Sequence, residues 1–262
     1  VGTYLDAILD VHRARALADR RQEAELAERV ASLPPTRPFR EALSTPGVAV
    51  IAEIKRRSPS KGSLAPHLDP DALARAYVAG GACAISVLTD APHFGGSPED
   101  LVAARAAVDV PVLRKDFTVD RRDLYDARLM GADACLLIVA ALGDAELADF
   151  IALGRRLGLT CLVEIHDEGE LARALAAGAD VIGVNQRDLH TFAVDRDRAV
   201  TLSAMIPADI VRIAESGVTA RDDVERLDDA GFDAVLVGEA LVTADDPRRA
   251  LASLRGVVGV GS

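Results

Sequence analysis

Short apolar runs of strand length alternate along the chain with amphipathic stretches of helical spacing. Four segments repeat one phrase, a helix-like pattern ending in Gly or Ala-Gly and then an apolar run. They are AGGACAISVL (79–88), MGADACLLIV (130–139), AGADVIGV (177–184) and AGFDAVLVG (230–238). A glycine just after a helix supplies a left-handed cap, and the runs that follow have the length and β-branched content of strands. Four more runs fit the series: VAVIAEIK (48–55), PVLRKD (111–116), LTCLVEI (159–165) and DIVRIAES (209–216). Between them lie DPDALARAYVAG, RRDLYDARLMG, DAELADFIALGRRLG, DEGELARALAAG and ARDDVERLDDAG. Several of these open on an acidic residue suited to an N-cap or first turn.

Eight strands alternating with eight helices predict an α/β fold, a (β/α)8 TIM barrel with an N-terminal helical extension. An open doubly wound sheet is the alternative. Eight units in 262 residues favour closure, and no GxGxxG follows a strand, which speaks against a dinucleotide site. Residues 1–46 are expected as a charged helical extension packed on the barrel, and 47–262 as the single catalytic domain. Tyr4, Leu5, Ile8 and Leu9 have helical spacing, which favours a docked helix over a mobile arm; the Pro-rich LPPTRP (33–38) leaves the arm open.

Composition narrows the partners. Half the residues are hydrophobic, so a large core is affordable, but with aromatics at 3% and no Trp, aliphatic side chains must fill it. The formal net charge of −11 disfavours nucleic acid and anionic membranes. A small anion remains compatible, because a local cluster of Lys, Arg and backbone N–H groups works inside an acidic protein. Cys83, Cys135 and Cys161 lack metal-ligand spacing and read as reduced core thiols. With no signal peptide and no spanning segment in the sequence, a cytoplasmic location is expected.

The polar residues of interest stand at strand ends, where barrels of this kind place their active sites. The first strand carries Glu53 and Lys55, two apart and therefore on one side of an otherwise apolar run. Buried there, they cost several kcal/mol (roughly) unless paired or put to use. Lys115 ends the third strand, Glu164 the fifth, Asn185 with nearby Arg187 the sixth, Glu215 and Ser216 the seventh, and Gly238 the eighth. Any one of these can be a loop residue or a structural ion pair; convergence from five strands favours a site. Glycines in AESGV (214–218) and VLVGEAL (235–241) fall in the two loops where many barrels bind phosphate. Ser58 and Ser60 sit in the first loop, which otherwise reads as an ordinary proline turn. His166 and His190 read as loop residues, Arg56, Arg57 and Lys61 as solvated cations able to steer an anion, and Asp116 as a helix cap or a partner for the neighbouring lysine.

Taken in order, IAEIKRRSPSKG, AISVLTDAPHFGGS, PVLRKDFTVD, GADACLLIVAAL, CLVEIHDEGEL, GVNQRDLHTF and IAESGV resemble the successive motifs of the indole-3-glycerol phosphate synthase family. The resemblance covers nearly the whole chain, extension included. It implies conversion of 1-(o-carboxyphenylamino)-1-deoxyribulose 5-phosphate to indole-3-glycerol phosphate in tryptophan biosynthesis, with loss of carbon dioxide and water and with no metal or organic cofactor. Carried over by motif, Lys115 resembles the general acid of ring closure and Glu164 the second acid/base group. Glu53 and Lys55 resemble the charged pair completing the site, and Asn185, Glu215 and Ser216 its polar lining. Ser58, Arg187 and Lys55 look like substrate contacts, Gly217 and Gly238 match the phosphate loops, and Phe94 and Phe117 match apolar residues around the aromatic ring. A monomer acting on a phosphorylated small molecule is expected, with partner enzymes of the same pathway as an option.

Two positions depart from the family pattern. Gln186 stands where Asn, Ala or Ser is expected. Glu239 stands where many members have Ser; ionised, it cannot donate to a phosphate, so its side chain is expected to turn away. The chemistry otherwise suits the residues: a lysine ammonium stabilises the oxygen that gains charge as the ring closes. Dehydration then needs an acid, Lys55 or Lys115, and a base for the ring N–H proton, Glu164. The competing readings are another phosphate-binding barrel enzyme and a non-catalytic barrel that binds a phosphorylated ligand.

Overall fold

The computed structural model describes residues 3–44, 47–188 and 191–256. Eight strands run β1 Ala49–Ile54, β2 Ala84–Leu88, β3 Val112–Lys115, β4 Ala134–Ile138, β5 Thr160–Ile165, β6 Val181–Asn185, β7 Val211–Glu215 and β8 Ala234–Val237. Each pairs in parallel with its sequence neighbours, and β8 returns to β1, which closes the barrel. The helices between them cover the outside, as the alternation predicts. Gly81, Gly131, Gly178 and Gly231, the glycines of the four repeated phrases, all have positive φ, between 81° and 99°. Each turns the chain out of a helix and back toward the sheet.

Register sets the height of the polar side chains. Glu53 lies opposite Ser86, Leu88 opposite Lys115, Ile138 opposite Glu164 and Asn185 opposite Glu215. Two residues earlier on the same strands, and hence on the same face one layer down, stand Ile51, Leu113, Leu162 and Ile213, all fully buried. The barrel is thus filled with aliphatic side chains below and crowned with charge at its C-terminal mouth.

Three helices precede β1: α1 Tyr4–Ala18, α2 Glu23–Ala31 and α3 Phe39–Ala42. On α1, Leu5, Ile8 and Leu9 are buried. His12 Nε2 lies 3.0 Å from Asp90, just past β2, and Arg13 donates to the Ala141 carbonyl, past β4, at 2.9 Å. These contacts lay α1 across the C-terminal mouth. Lower down, the Thr36 hydroxyl donates to the Gly158 carbonyl at 2.6 Å, at the opposite face. The first loop contains an unforeseen feature, a small hairpin pairing Arg57–Ser58 with Gly62–Ser63.

Asp133 ties the N-terminal segment to the barrel floor. Its fully buried carboxylate accepts the backbone N–H of Arg37 at 2.7 Å and of Val112 at 2.8 Å, and meets Arg105 at 3.1 Å. Replacing it leaves the buried Val112 N–H, the part-buried Arg37 N–H and the Arg105 guanidinium without this acceptor, and an unsatisfied buried donor costs about 1–3 kcal/mol. Asp133→Ala is therefore expected to lower unfolding stability by about 3 kcal/mol or more, read as the shift in a urea transition. A loss under about 1 kcal/mol would refute this role.

Candidate active site

A cavity of about 590 Å³ opens at the C-terminal mouth. Glu53, Lys55, Ser58, Phe94, Lys115, Phe117, Glu164, Asn185, Arg187, Glu215, Ser216, Gly217 and Gly238 all line it. The strand-end residues and the loop residues named from the sequence therefore meet in one place.

Lys115 is the hub. Its Nζ lies 3.0 Å from Glu164 Oε2 and 3.0 Å from Glu215 Oε2, with both carboxylates almost wholly buried. Burial works against the ammonium, but Glu164, Glu215 and Glu53 outweigh it and hold the Lys115 pKa far above the usual lysine range. The lysine is a charged proton donor at neutral pH.

The two carboxylates differ. Burial pushes Glu164 up, but Lys115 and His166, whose Nε2 lies 3.6 Å away, act the other way, and the Asn185 amide donates to Oε1 at 3.1 Å. The balance is a lowered pKa. Glu215 has less support. Its Oε1 is buried without a hydrogen-bond partner, and burial together with repulsion from Glu164 and Glu53 exceeds the pull of Lys115 and raises its pKa to about 7.

Glycines make room for these charges. A Cβ on Gly183 would collide with Glu215 Oε1, and one on Gly238 would stand 2.5 Å from Glu53 Oε1 and 3.0 Å from Lys55 Nζ. Two strands from Lys115, at the end of β1, Lys55 Nζ meets Glu53 Oε1 at 2.7 Å, and the Ser86 hydroxyl donates to the other Glu53 oxygen at 3.4 Å.

The polar lining is itself held. Asn185 Oδ1 accepts from the Ser216 hydroxyl at 2.9 Å and from the Arg187 N–H at 3.0 Å. Ser216 has φ +65°, a strained conformation for a residue with a side chain. Its carbonyl receives the Gln186 amide at 2.7 Å, which gives the departure at Gln186 a structural task. Gly217 follows with φ +77°. Phe94 and Phe117 form an aromatic wall, with ring centroids 6.2 Å apart.

Several expectations need correction. Arg56 is not a solvated cation; it makes a two-pronged bond to Asp100, at 3.1 and 2.7 Å. Asp116 neither caps a helix nor serves Lys115, because Arg114, Thr89 and the Phe117 N–H occupy its carboxylate. His166 is more than a loop residue: it packs behind Glu164 and meets Glu170 Oε2 at 3.1 Å. The Glu239 side chain does not turn away but faces Lys61 at the cavity rim, 3.7 Å off. His190 lies outside the described residues.

Other lining residues escaped sequence reasoning. Tyr4, Leu5 and Ile8 of α1 line the cavity, as do Leu136, Ile138, Phe192 and Arg196. The helical spacing of the first three pointed to docking but not to what they would face. His12, Asp90 and Asp116 bring potential metal-ligand atoms within 4.8 Å of one another. Asp90 is already held by His12 and His93, and Asp116 by Arg114; a guanidinium on a carboxylate is a poor neighbour for a metal ion.

A family model described as indole-3-glycerol phosphate synthase matches residues 5–254. A Streptomyces coelicolor protein named indole-3-glycerol phosphate synthase 2 is 52% identical over 258 residues, 98% of either chain. One from Kineococcus radiotolerans, named indole-3-glycerol phosphate synthase, is 59% identical over 208 residues, 79% of this chain and 76% of that one. Among solved structures, thiamine phosphate pyrophosphorylase from Pyrococcus furiosus superposes with a TM-score of 0.61 at 18% identity, covering 84% of this chain and 98% of that one. That likeness is of fold alone.

The split between the two glutamates has a signature in stability. Glu215, raised from 4.5 to about 7, contributes stability that is full below its ordinary value and is lost as pH rises through about 7. Glu164, lowered, contributes stability present above 4.5 and lost as pH falls through its depressed pKa. Of the two glutamates, only Glu215 changes its contribution between about pH 5 and about pH 8. The Tm of Glu215→Gln is thus expected to gain on wild type across that interval. An equal Tm difference at both ends would overturn the assignment.

Proposed function

This chain belongs to the indole-3-glycerol phosphate synthase family, and from that premise we propose how its own residues carry the reaction. The substrate is 1-(o-carboxyphenylamino)-1-deoxyribulose 5-phosphate, and the product is indole-3-glycerol phosphate. The observation that carries the assignment of roles is the position of Lys115, shared at 3.0 Å by two buried carboxylates at the floor of the cavity.

In the first step the ring carbon bearing the carboxylate attacks the ketone carbon. The C–C bond forms as the C=O π electrons move onto oxygen, and the Lys115 ammonium protonates that oxygen. Its two carboxylates keep it charged and fix its direction, so little reorganisation is needed as the oxygen gains charge. The ring–carboxylate bond then breaks. Carbon dioxide leaves, and the electron pair restores aromaticity.

In the last step the new hydroxyl departs as water, taking a proton from Lys115 or Lys55, while the five-membered ring gives up a proton to Glu164. Glu164 suits the base because it is ionised in the resting site, with its oxygens oriented by Asn185 and Lys115. Glu215, raised toward neutrality, suits a group that restores a proton to Lys115 between steps.

Binding follows the same division of the cavity. Phe94 and Phe117 offer apolar surface to the aromatic ring. Lys55 and Arg187 supply cations for the anionic groups, and the Arg187 guanidinium is braced by the Phe192 carbonyl at 3.1 Å. The phosphate is assigned to the end bounded by Ser58, Gly217 and Gly238, where backbone N–H groups can approach it closely. A cytoplasmic location and action as a monomer without cofactor belong to the same reading. Among the described residues no helix is long and apolar enough to cross a membrane.

Supplied with this substrate in the presence of a chelator, the wild type is expected to release fluorescent indole product. Lys115→Ala is expected to lower kcat by about 10²–10⁴-fold while keeping its circular dichroism. A folded Lys115→Ala enzyme with near-normal kcat would remove Lys115 from the mechanism.

A further inference from the structure

The geometry points to Lys61 as a further binding residue for the substrate phosphate, with Glu239 as an internal carboxylate that competes with phosphate for it. This rests on the assignment of the phosphate to the Gly217–Gly238 end of the cavity. Lys61 and Glu239 both line that cavity. Glu239 directly follows Gly238 at the end of β8, and Lys61 sits at the turn of the hairpin after β1, where its N–H donates to Ser58 Oγ at 3.2 Å. Their side chains meet at 3.7 Å.

The hairpin is tied at its base, and the Lys61 side chain at its turn is exposed. Leu64 and Ala65 N–H groups donate to the Arg56 carbonyl at 2.9 and 3.0 Å, and the Arg56 side chain is locked to Asp100. The Lys61 side chain is 58% exposed, so its ammonium can swing without moving that base.

A carboxylate beside the phosphate loops of a protein with net charge −11 repels an incoming phosphate dianion. In the empty site Lys61 neutralises that carboxylate. A phosphate monoester between Gly217 and Gly238 presents more negative charge than Glu239 and draws the ammonium to itself. Lys61 then serves as a phosphate ligand, and its separation from Glu239 is part of the cost of binding.

Four proteins test this: wild type, Glu239→Gln, Lys61→Met and the double variant. Each is read by KM and kcat with the carboxyphenylamino-deoxyribulose phosphate, and by the Kd for inorganic phosphate. Glu239→Gln is expected to lower KM and Kd by about two- to fivefold, and Lys61→Met to raise both by a similar factor. The double variant should return close to wild type, because the repulsion left by losing Lys61 is removed with its source. The changes should fall on KM rather than kcat, and shrink in high salt as exposed charges are screened. Any other ordering, including four equal values, overturns the proposal. A wild type that makes no product yet shows this ordering for inorganic phosphate would keep the pair and sink the reaction.

Discussion

The contact on which this barrel mouth depends is the double ion pair of Lys115 with Glu164 and Glu215. Placing such groups out of water costs several kcal/mol (roughly) per ion, and attraction repays it only when the geometry is good and the remaining polar atoms are satisfied. The fold meets most of these conditions by register. Lys115 on β3 and Glu164 on β5 extend inward from strands separated by one neighbour, and Glu215 on β7 closes the triangle. Beneath them the aliphatic layer of Leu113, Leu162 and Ile213 fixes the strands against one another. A one-residue slip in any of these strands would send its charged group to the helix side; on β5 it would bring Val163 or Ile165 to the mouth in place of Glu164.

The same arrangement explains why the site sits on glycines. Gly183 and Gly238 lie in or just beyond strands, where glycine weakens local structure. Each leaves the volume that a charged side chain from a neighbouring strand occupies. A better-packed mouth of aliphatic residues would gain stability and lose the field that holds a proton on Lys115.

Much of the fold was legible because its signals are local. Apolar runs of strand length, acidic helix starts and the left-handed glycines Gly81, Gly131, Gly178 and Gly231 each follow from a few consecutive residues. The strand-end residues were legible for a related reason: a period of two and a known functional end place Lys115, Glu164 and Glu215 without any knowledge of their partners. What escaped was nonlocal. Arg56 finds Asp100 across 44 positions, and His166 is drawn behind Glu164 by the course of the next helix. Tyr4, Leu5 and Ile8 reach the cavity because α1 crosses the mouth. Helical spacing identifies an apolar face, but not the surface on which it lands.

Two glutamates on one lysine at equal distance should be twins, and they are not. The difference lies in their outer oxygens. Glu164 Oε1 receives the Asn185 amide and has His166 behind it. Glu215 Oε1 is pressed against the bare backbone of Gly183, where no donor reaches it. With all three ionised, Glu53, Glu164 and Glu215 repel one another, and His166 lies on the Glu164 side of the cluster. The cheapest place for a neutralising proton is the oxygen with least support. A single orphaned oxygen thus turns two identical side chains into a fixed base and a titrating partner, and Lys115 can lose a proton to substrate with a source of replacement beside it.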